Sequence, residues 1–266
     1  MKYSYVTLLS TESYLPGVIA LFRSWKQTNP AYPFVCFCSV SVRSEALERL
    51  HRLGIATQRF AKGAVDASGI SNQAEYSYWR YTFDKLLLWG CTQYDKMVYL
   101  DSDMMVMDNL DFLFDCPNLS ACQAGRFLHP SWIRLNSGLM VVEPDKTIEE
   151  RLLRQLPRTL SGYSKQGRNV GDQDVLNDCF VDWPSQEHLH LPEGLNMFFK
   201  DITLAGKHGF RLGARDEARR IRVVHFIGSV KPWSLRGIGK VAFMAKVLLR
   251  NRTGFPVLLK YLALLK

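Results

Sequence analysis

Asp101 and Asp103 sit two residues apart at the end of the apolar run Met97-Val98-Tyr99-Leu100. In an extended chain, residues i and i+2 point to the same side, so two carboxylates converge where a strand stops. Like charges held this close are costly unless a cation sits with them. Hard oxygen ligands at such a turn suit Mn²⁺ or Mg²⁺, ions that keep positions open for phosphate oxygens. A solvated Asx-type turn would use the same triplet. Met104-Met105-Val106-Met107 follows it, however, so the acidic elbow has apolar chain on both sides and is expected to face a cavity.

A second constellation is Val223-Val224-His225-Phe226-Ile227-Gly228-Ser229-Val230-Lys231-Pro232-Trp233. It places a histidine at a strand end, then a glycine where backbone can approach a ligand, then a lysine held against Pro-Trp. Neutral imidazole ligates Mn²⁺ beside carboxylates, and a lysine ammonium neutralises a diphosphate. A strand-end histidine can equally be structural. Two polar islands stand in apolar surroundings, Asn136-Ser137-Gly138 and Gly171-Asp172-Gln173-Asp174. Helix capping alone accounts for Asp172, and the helix dipole for Asp174.

The elements that must hold these residues read as an α/β fold. Residues 5–9 form a strand, 17–27 a helix, 32–40 a strand, 44–53 a helix and 55–60 a strand. This βαβαβ order implies a parallel sheet with crossover helices. Such sheets bind ligands beyond the carboxyl ends of their strands, which makes residues 10–14 a candidate nucleotide edge. A polar stretch over 61–76 reads as a mobile loop. Helices are expected over 79–93, 146–156 and 172–180, and strands over 96–100, 139–142 and 222–226.

The chain has 266 residues, 47% apolar and 22% charged, which excludes disordered and fibrous classes. Its six cysteines include no CxxC pair, so they read as reduced core residues, not as a disulfide framework or a zinc site. The N-terminus lacks a secretory pattern, and no run reaches the roughly 20 apolar residues of a membrane span. The expectation is a cytoplasmic protein. The net charge is +9, from 34 Lys and Arg against 25 Asp and Glu. Eleven of those basic residues follow Ala218, where no acid occurs, leaving 23 against 25 before it. The excess therefore belongs to the C-terminus. Residues 1–235 read as the catalytic domain and 236–266 as a basic amphipathic tail. There, Ile238, Val241, Ala242, Ala245, Leu248 and Leu249 share one helical face, opposite Lys240, Lys246 and Arg250. That face either packs back on the domain or lies on an anionic membrane. No nucleic-acid motif accompanies the charge.

Together these motifs resemble glycosyltransferase family 8, the glycogenin-like enzymes of GT-A fold. The anchors are Tyr5-Val6-Thr7-Leu8 with Tyr14 and Gly17, Lys85 with Trp89, Tyr99 to Asp103, Asn136-Ser137-Gly138, Gly171-Asp172-Gln173 with Leu176-Asn177, and His225 to Trp233. The resemblance implies a retaining, Mn²⁺-dependent transfer of a hexose from a UDP-sugar, UDP-glucose or UDP-galactose. Its metal ligands would be Asp101, Asp103 and His225. Leu8, Ser10, Thr11 and Tyr14 would hold uracil and ribose, with Ser102 on the ribose. Gly228 and Lys231 would grip the diphosphate. Lys85, Asn136, Ser137, Asp172 and Gln173 would surround the donor sugar, with Asp172, Gln173 and Lys231 as the catalytic set. A non-catalytic nucleotide-sugar-binding protein of the same fold is the alternative. Three positions depart from the glycogenin pattern. Asn169 stands where those enzymes carry an acid, and residues 196–222 contain no tyrosine for self-glucosylation. A donor-side arginine has only Arg80 and Tyr76 as imperfect counterparts. The implied acceptor is therefore a separate carbohydrate, polyol or lipid-linked molecule.

Overall fold

In the computed structural model, residues 1–60, 64–66, 73 and 79–266 are described. The loop expected over 61–76, with Tyr76, lies largely outside them. Alternation of side chains sorts the strands into two faces. On β1 (Tyr3–Leu9), Tyr5 and Leu9 enter one core, while Val6 and Leu8 enter the other. On β4 (Lys96–Leu100), Val98 and Leu100 join the first core, Met97 and Tyr99 the second. A sheet buried on both faces needs apolar residues at successive positions, and these strands have them.

With β2 (Phe34–Cys38), β3 (Ala56–Gln58), β6 (Ala121–Cys122), β7 (Asn136–Val142) and β8 (His190–Leu191), these strands form one sheet. Its order is β3-β2-β1-β4-β7-β6-β8. The β1–β2, β2–β3, β1–β4 and β6–β8 pairs are parallel, while β7 runs antiparallel to β4 and β6. The sheet is thus mixed and mainly parallel, as expected. Helices α1 (Leu15–Lys26) and α2 (Ser44–Arg52) supply apolar residues to one core, α3 (Lys146–Lys165) and α4 (Asp172–Cys179) to the other.

Several strand ends shift by up to three residues, β7 beginning at Asn136 and β3 spanning only Ala56–Gln58, and two elements differ more. The stretch over 79–93 contains a 3₁₀ run, Phe83–Gly90, in which every residue from Phe83 to Trp89 is buried. With no solvent face, that segment carries no helical stripe that periodicity could register. Helix α3 runs on through Pro157 to Lys165 instead of ending at residue 156. Pro157 is on the exposed side, where the carbonyl it leaves unpaired faces water.

A second, small sheet is built from β5 (Met104–Val106), β9 (Met197–Phe198) and β12 (Val223–His225), in the order β5-β12-β9. Strands β10 (Arg211–Leu212) and β11 (Arg220–Ile221) pair separately, and α5 (Ile202–Lys207) precedes them. The acidic elbow is the link between the two main sheets, since β4 ends before it and β5 begins after it.

The C-terminal stretch forms two helices with different fates. In α7 (Phe255–Leu264), Val257, Leu258, Tyr261 and Leu264 are buried, and the Tyr261 ring centroid lies 4.1 Å from that of Phe226. Arg23 Nη1 donates to the Leu264 carbonyl at 2.6 Å. In α6 (Gly237–Arg250), by contrast, Val247 is buried and Phe243 and Met244 half-buried, while Ile238, Val241, Ala242, Ala245, Leu248 and Leu249 are all exposed. Ile238 is 89% exposed and Leu249 74%. No helix among the described residues is long and apolar enough to cross a membrane.

Candidate active site

The elbow is assembled by three strands. Asp101 N donates to the Gly138 carbonyl of β7 at 2.8 Å, and Met104 N donates to the Asp101 carbonyl at 3.1 Å. On the far side, β12 lies antiparallel to β5 with His225 opposite Met104. Phe226 N donates to the Asp103 carbonyl at 2.9 Å. This register sets the His225 ring against the acids. His225 Nε2 is 3.0 Å from Asp103 Oδ1 and 3.8 Å from Asp101 Oδ2. Gly138 makes the approach feasible: a Cβ there would lie 2.9 Å from His225 Cε1 and from Met104 Cε. One ligand atom from each of Asp101, Asp103 and His225 lies within 4.8 Å of the others. Two carboxylates and an imidazole at this spacing fit a hard divalent ion such as Mn²⁺ or Mg²⁺. The other ring nitrogen, His225 Nδ1, is 2.9 Å from Asn196 Oδ1, the outer partner expected of a ligating histidine.

Two buried lysines offset the acidic charge. Lys231 Nζ lies 2.5 Å from Asp103 Oδ2 and donates to the Phe226 carbonyl at 2.9 Å. Lys85 Nζ is 3.0 Å from Asp101 Oδ1 and 2.7 Å from Asp172 Oδ2, and it donates to Ser137 Oγ at 3.1 Å. Burial raises the Asp101 carboxyl above the usual carboxylate range, against the pull of Lys85 and His225. Burial would do the same to Asp103, but Lys231 and His225 overturn it and hold that carboxyl well below the range. Burial alone would lower the Lys85 ammonium; Asp101 and Asp172 reverse the sign and raise it.

The polar island at α4 resolves into two roles. Gly171 N donates to Asp174 Oδ2 at 3.0 Å, so Asp174 caps the helix. Asp172, its first residue, turns its carboxylate to Lys85 and accepts from Ser137 Oγ at 2.8 Å. Capping therefore does not account for Asp172.

Asp101, Asp103, His225, both lysines, Ser137, Asp172 and Asp174 border one cleft of about 470 Å³. Leu8, Ser10, Thr11 and Tyr14 line it at the carboxyl end of β1; Ser102, Asn136 and Gln173 line it beside the acids; Gly228 and Lys231 close another side. Gly228 has φ 99°, in the left-handed region that favours glycine. Lys231 Nζ lies 5.5 Å from the centroid of the Tyr14 ring. Every residue of the proposed metal, donor and catalytic sets lines this cleft. Arg80 is not among the lining residues, whereas its neighbours Trp79, Tyr81 and Thr82 are.

Several members of the site were assigned no role from the sequence. Phe198, on β9, lines the cleft with its ring centroid 6.0 Å from that of His225. Asn196 joins His225 to Asn136, donating to Asn136 Oδ1 at 2.7 Å. Thr82 Oγ1 accepts from Asp172 N at 3.3 Å. None of the three sits in a spacing pattern that would have marked it.

Comparison with known proteins places this geometry. Residues 5–236 match the family Glycosyl transferase family 8. The putative UDP-glucuronate:xylan alpha-glucuronosyltransferase 5 of Arabidopsis thaliana is 32% identical over 235 residues, 87% of this chain and 36% of that protein. Human glycogenin-1 is 29% identical over 237 residues, 87% of this chain and 62% of its own length. The chain thus spans about a third of the plant relatives it matches. The galactosyltransferase LgtC, solved with donor and acceptor sugar analogues, superposes with a TM-score of 0.58 at 17% identity, over 94% of each chain. That likeness establishes a GT-A fold. The acidic elbow, the histidine brought to it by β12 and the match over residues 5–236 lead to one assignment: the chain belongs to glycosyl transferase family 8.

Proposed function

We propose that the protein is a retaining, Mn²⁺-dependent glycosyltransferase that moves glucose or galactose from a UDP-sugar to a separate acceptor. The observation that carries this reading is the convergence of Asp101, Asp103 and His225, flanked by two buried lysines, in one cleft. Asp101, Asp103 and His225 would hold the cation, with Mg²⁺ as the alternative ion. When bound, it would neutralise charge developing on the diphosphate as UDP departs. Lys231, paired with Asp103 at the same side of the cleft, would add a fixed positive charge toward the diphosphate. Tyr14, Leu8, Ser10 and Thr11 would receive the nucleoside, and Ser102 the ribose. Lys85, Asn136, Ser137, Asp172 and Gln173 form the sugar end.

The charge at that end favours an uncharged sugar. Asp172 and Asp174 both border it, and Lys85 is already shared between two carboxylates. A uronate would add another carboxylate against them. The structure of the Asp172 contacts also favours same-face attack over double displacement. One of its oxygens is engaged by an ammonium and a hydroxyl, which lowers its nucleophilicity. The test is hydrolysis and transfer from a panel of UDP-sugars with Mn²⁺. UDP-glucose or UDP-galactose should be consumed at least about tenfold faster than UDP-glucuronate, since a buried like-charge contact costs over a kcal/mol. No turnover of any donor overturns the proposal. A glycosyl adduct on Asp172 in the same incubations overturns the same-face route.

Residues 1–235 would form the catalytic unit, and the tail would serve location through α6, on the inner face of a membrane. Its exposed apolar face borders Lys240, Lys246 and Arg250, also exposed, a pattern suited to an anionic lipid surface. Replacing Ile238, Val241 and Leu249 together with serine should cut binding to phosphatidylserine vesicles by about tenfold or more, since each buried apolar side chain contributes over a kcal/mol. Thermal stability should hardly move, because such exposed sites are worth about 0.5 kcal/mol or less each. Undiminished co-sedimentation with vesicles would remove the membrane role.

A further inference from the structure

We propose that Tyr99 is a positioning residue that sets the affinity and the size preference of the cation site. This rests on the reading of Asp101, Asp103 and His225 as cation ligands. Tyr99 is 1% exposed and lies two residues before Asp101, on the same side of the strand. Its hydroxyl donates to Asp101 Oδ1 at 2.6 Å. Lys85 Nζ approaches that same oxygen to 3.0 Å and lies 4.9 Å from the centre of the Tyr99 ring. Two donors therefore meet on Oδ1. The other oxygen, Oδ2, is the one that faces His225 Nε2, at 3.8 Å.

A carboxylate pinned in this way offers a cation one oxygen, in one orientation. Asp103 is divided similarly, with Oδ1 toward His225 and Oδ2 toward Lys231. A site built of single oxygens and one imidazole suits a compact six-coordinate ion. Ca²⁺ instead takes about 6–8 oxygens at longer range and commonly grasps both oxygens of a carboxylate. The Tyr99 hydroxyl thus serves two ends: it fixes the rotamer of Asp101, and it blocks the bidentate grip that would admit Ca²⁺. The phenyl ring alone would fill the same core volume, so burial does not require the hydroxyl.

The experiment is titration of the metal-free protein, in the presence of UDP, with Mn²⁺ followed by EPR and with Ca²⁺ as competitor. Tyr99→Phe should weaken Mn²⁺ by about tenfold or more and narrow the Mn²⁺-to-Ca²⁺ preference, the scale expected when an outer partner of a metal ligand is lost. Tyr99→Met, which also lacks the hydroxyl, should behave alike. Tyr94→Phe is the control: Tyr94 is a buried residue whose part-buried hydroxyl donates to Gln58 Oε1, away from the cleft, and both affinities should stay at the wild-type level. Wild-type affinity and preference in folded Tyr99→Phe and Tyr99→Met overturn the inference. Failure of the wild-type protein itself to bind Mn²⁺ with UDP overturns the cation reading and this inference with it, a result distinguished by needing no variant.

Discussion

Asp103→Asn is expected to lower UDP-hexose turnover by about a thousandfold, the upper range for removal of one charge-stabilising group. The carboxylate meets both His225 Nε2 and Lys231 Nζ, so the substitution weakens the proposed cation site and releases the lysine that stands beside it. The same change acts on stability. Lys231 is 5% exposed, and breaking a buried pair by neutralising one partner costs about 3–5 kcal/mol. Its pH dependence has a definite sign. The Asp103 carboxyl is held below the usual range, so its contribution is present above the unfolded value, about pH 4. It fades as the pH falls toward the folded value. Urea unfolding of the two proteins should therefore show a gap at pH 7 that closes below about pH 4. Equal turnover in the variant would sink the proposed role of Asp103.

Lys85→Met is expected to be as destabilising as Asp103→Asn. The ammonium is 2% exposed and holds Asp101 and Asp172 together. Without it, the buried Asp172 and the half-buried Asp101 keep only neutral donors on this side, a loss of about 3–5 kcal/mol. Methionine fills a similar volume, so the cost arises from charge and not from a cavity. The raised Lys85 value means that its contribution is complete below the unfolded lysine value. It is lost only as pH rises through the folded one. The gap between wild type and variant in urea should hence stay level from neutral pH to about pH 10 and shrink beyond it. Adding Asp172→Asn to Lys85→Met should recover part of the loss by removing one stranded charge. A double variant no more stable than Lys85→Met would show that packing, not charge, dominates.

Much of the site was readable before any coordinates. The elbow's two acids follow from strand periodicity, and His225, Lys231 and the two polar islands stood out in their own segments, whereas the roles of Leu8, Lys85 and Ser102 came from the family resemblance. Boundaries fared less well where burial erased pattern. The run Phe83–Gly90 is buried throughout, so no stripe distinguishes one helical pitch from another. Helix α6 illustrates a different ambiguity. Its apolar residues can be divided into two stripes, and the one used for packing is Phe243, Met244 and Val247, not the stripe containing Ile238 and Leu249. Hydrophobicity alone does not say which stripe finds a partner.

The sequence by itself determined the apolar strands, the basic C-terminus and the presence of chemically paired residues within each motif. These are local properties, dictated by side-chain periodicity and backbone preference over a few residues. The resemblance grouped the motifs into one site, but only the tertiary structure supplies the contacts that bring them together. His225 reaches Asp103 across 122 positions because β12 pairs with β5 in one register. Asn196 and Phe198 arrive there with β9. The division of labour between Asp172 and Asp174 likewise needed Lys85 from another element. Such pairings depend on which distant segments bury surface against each other, and that choice is a property of the whole packed chain.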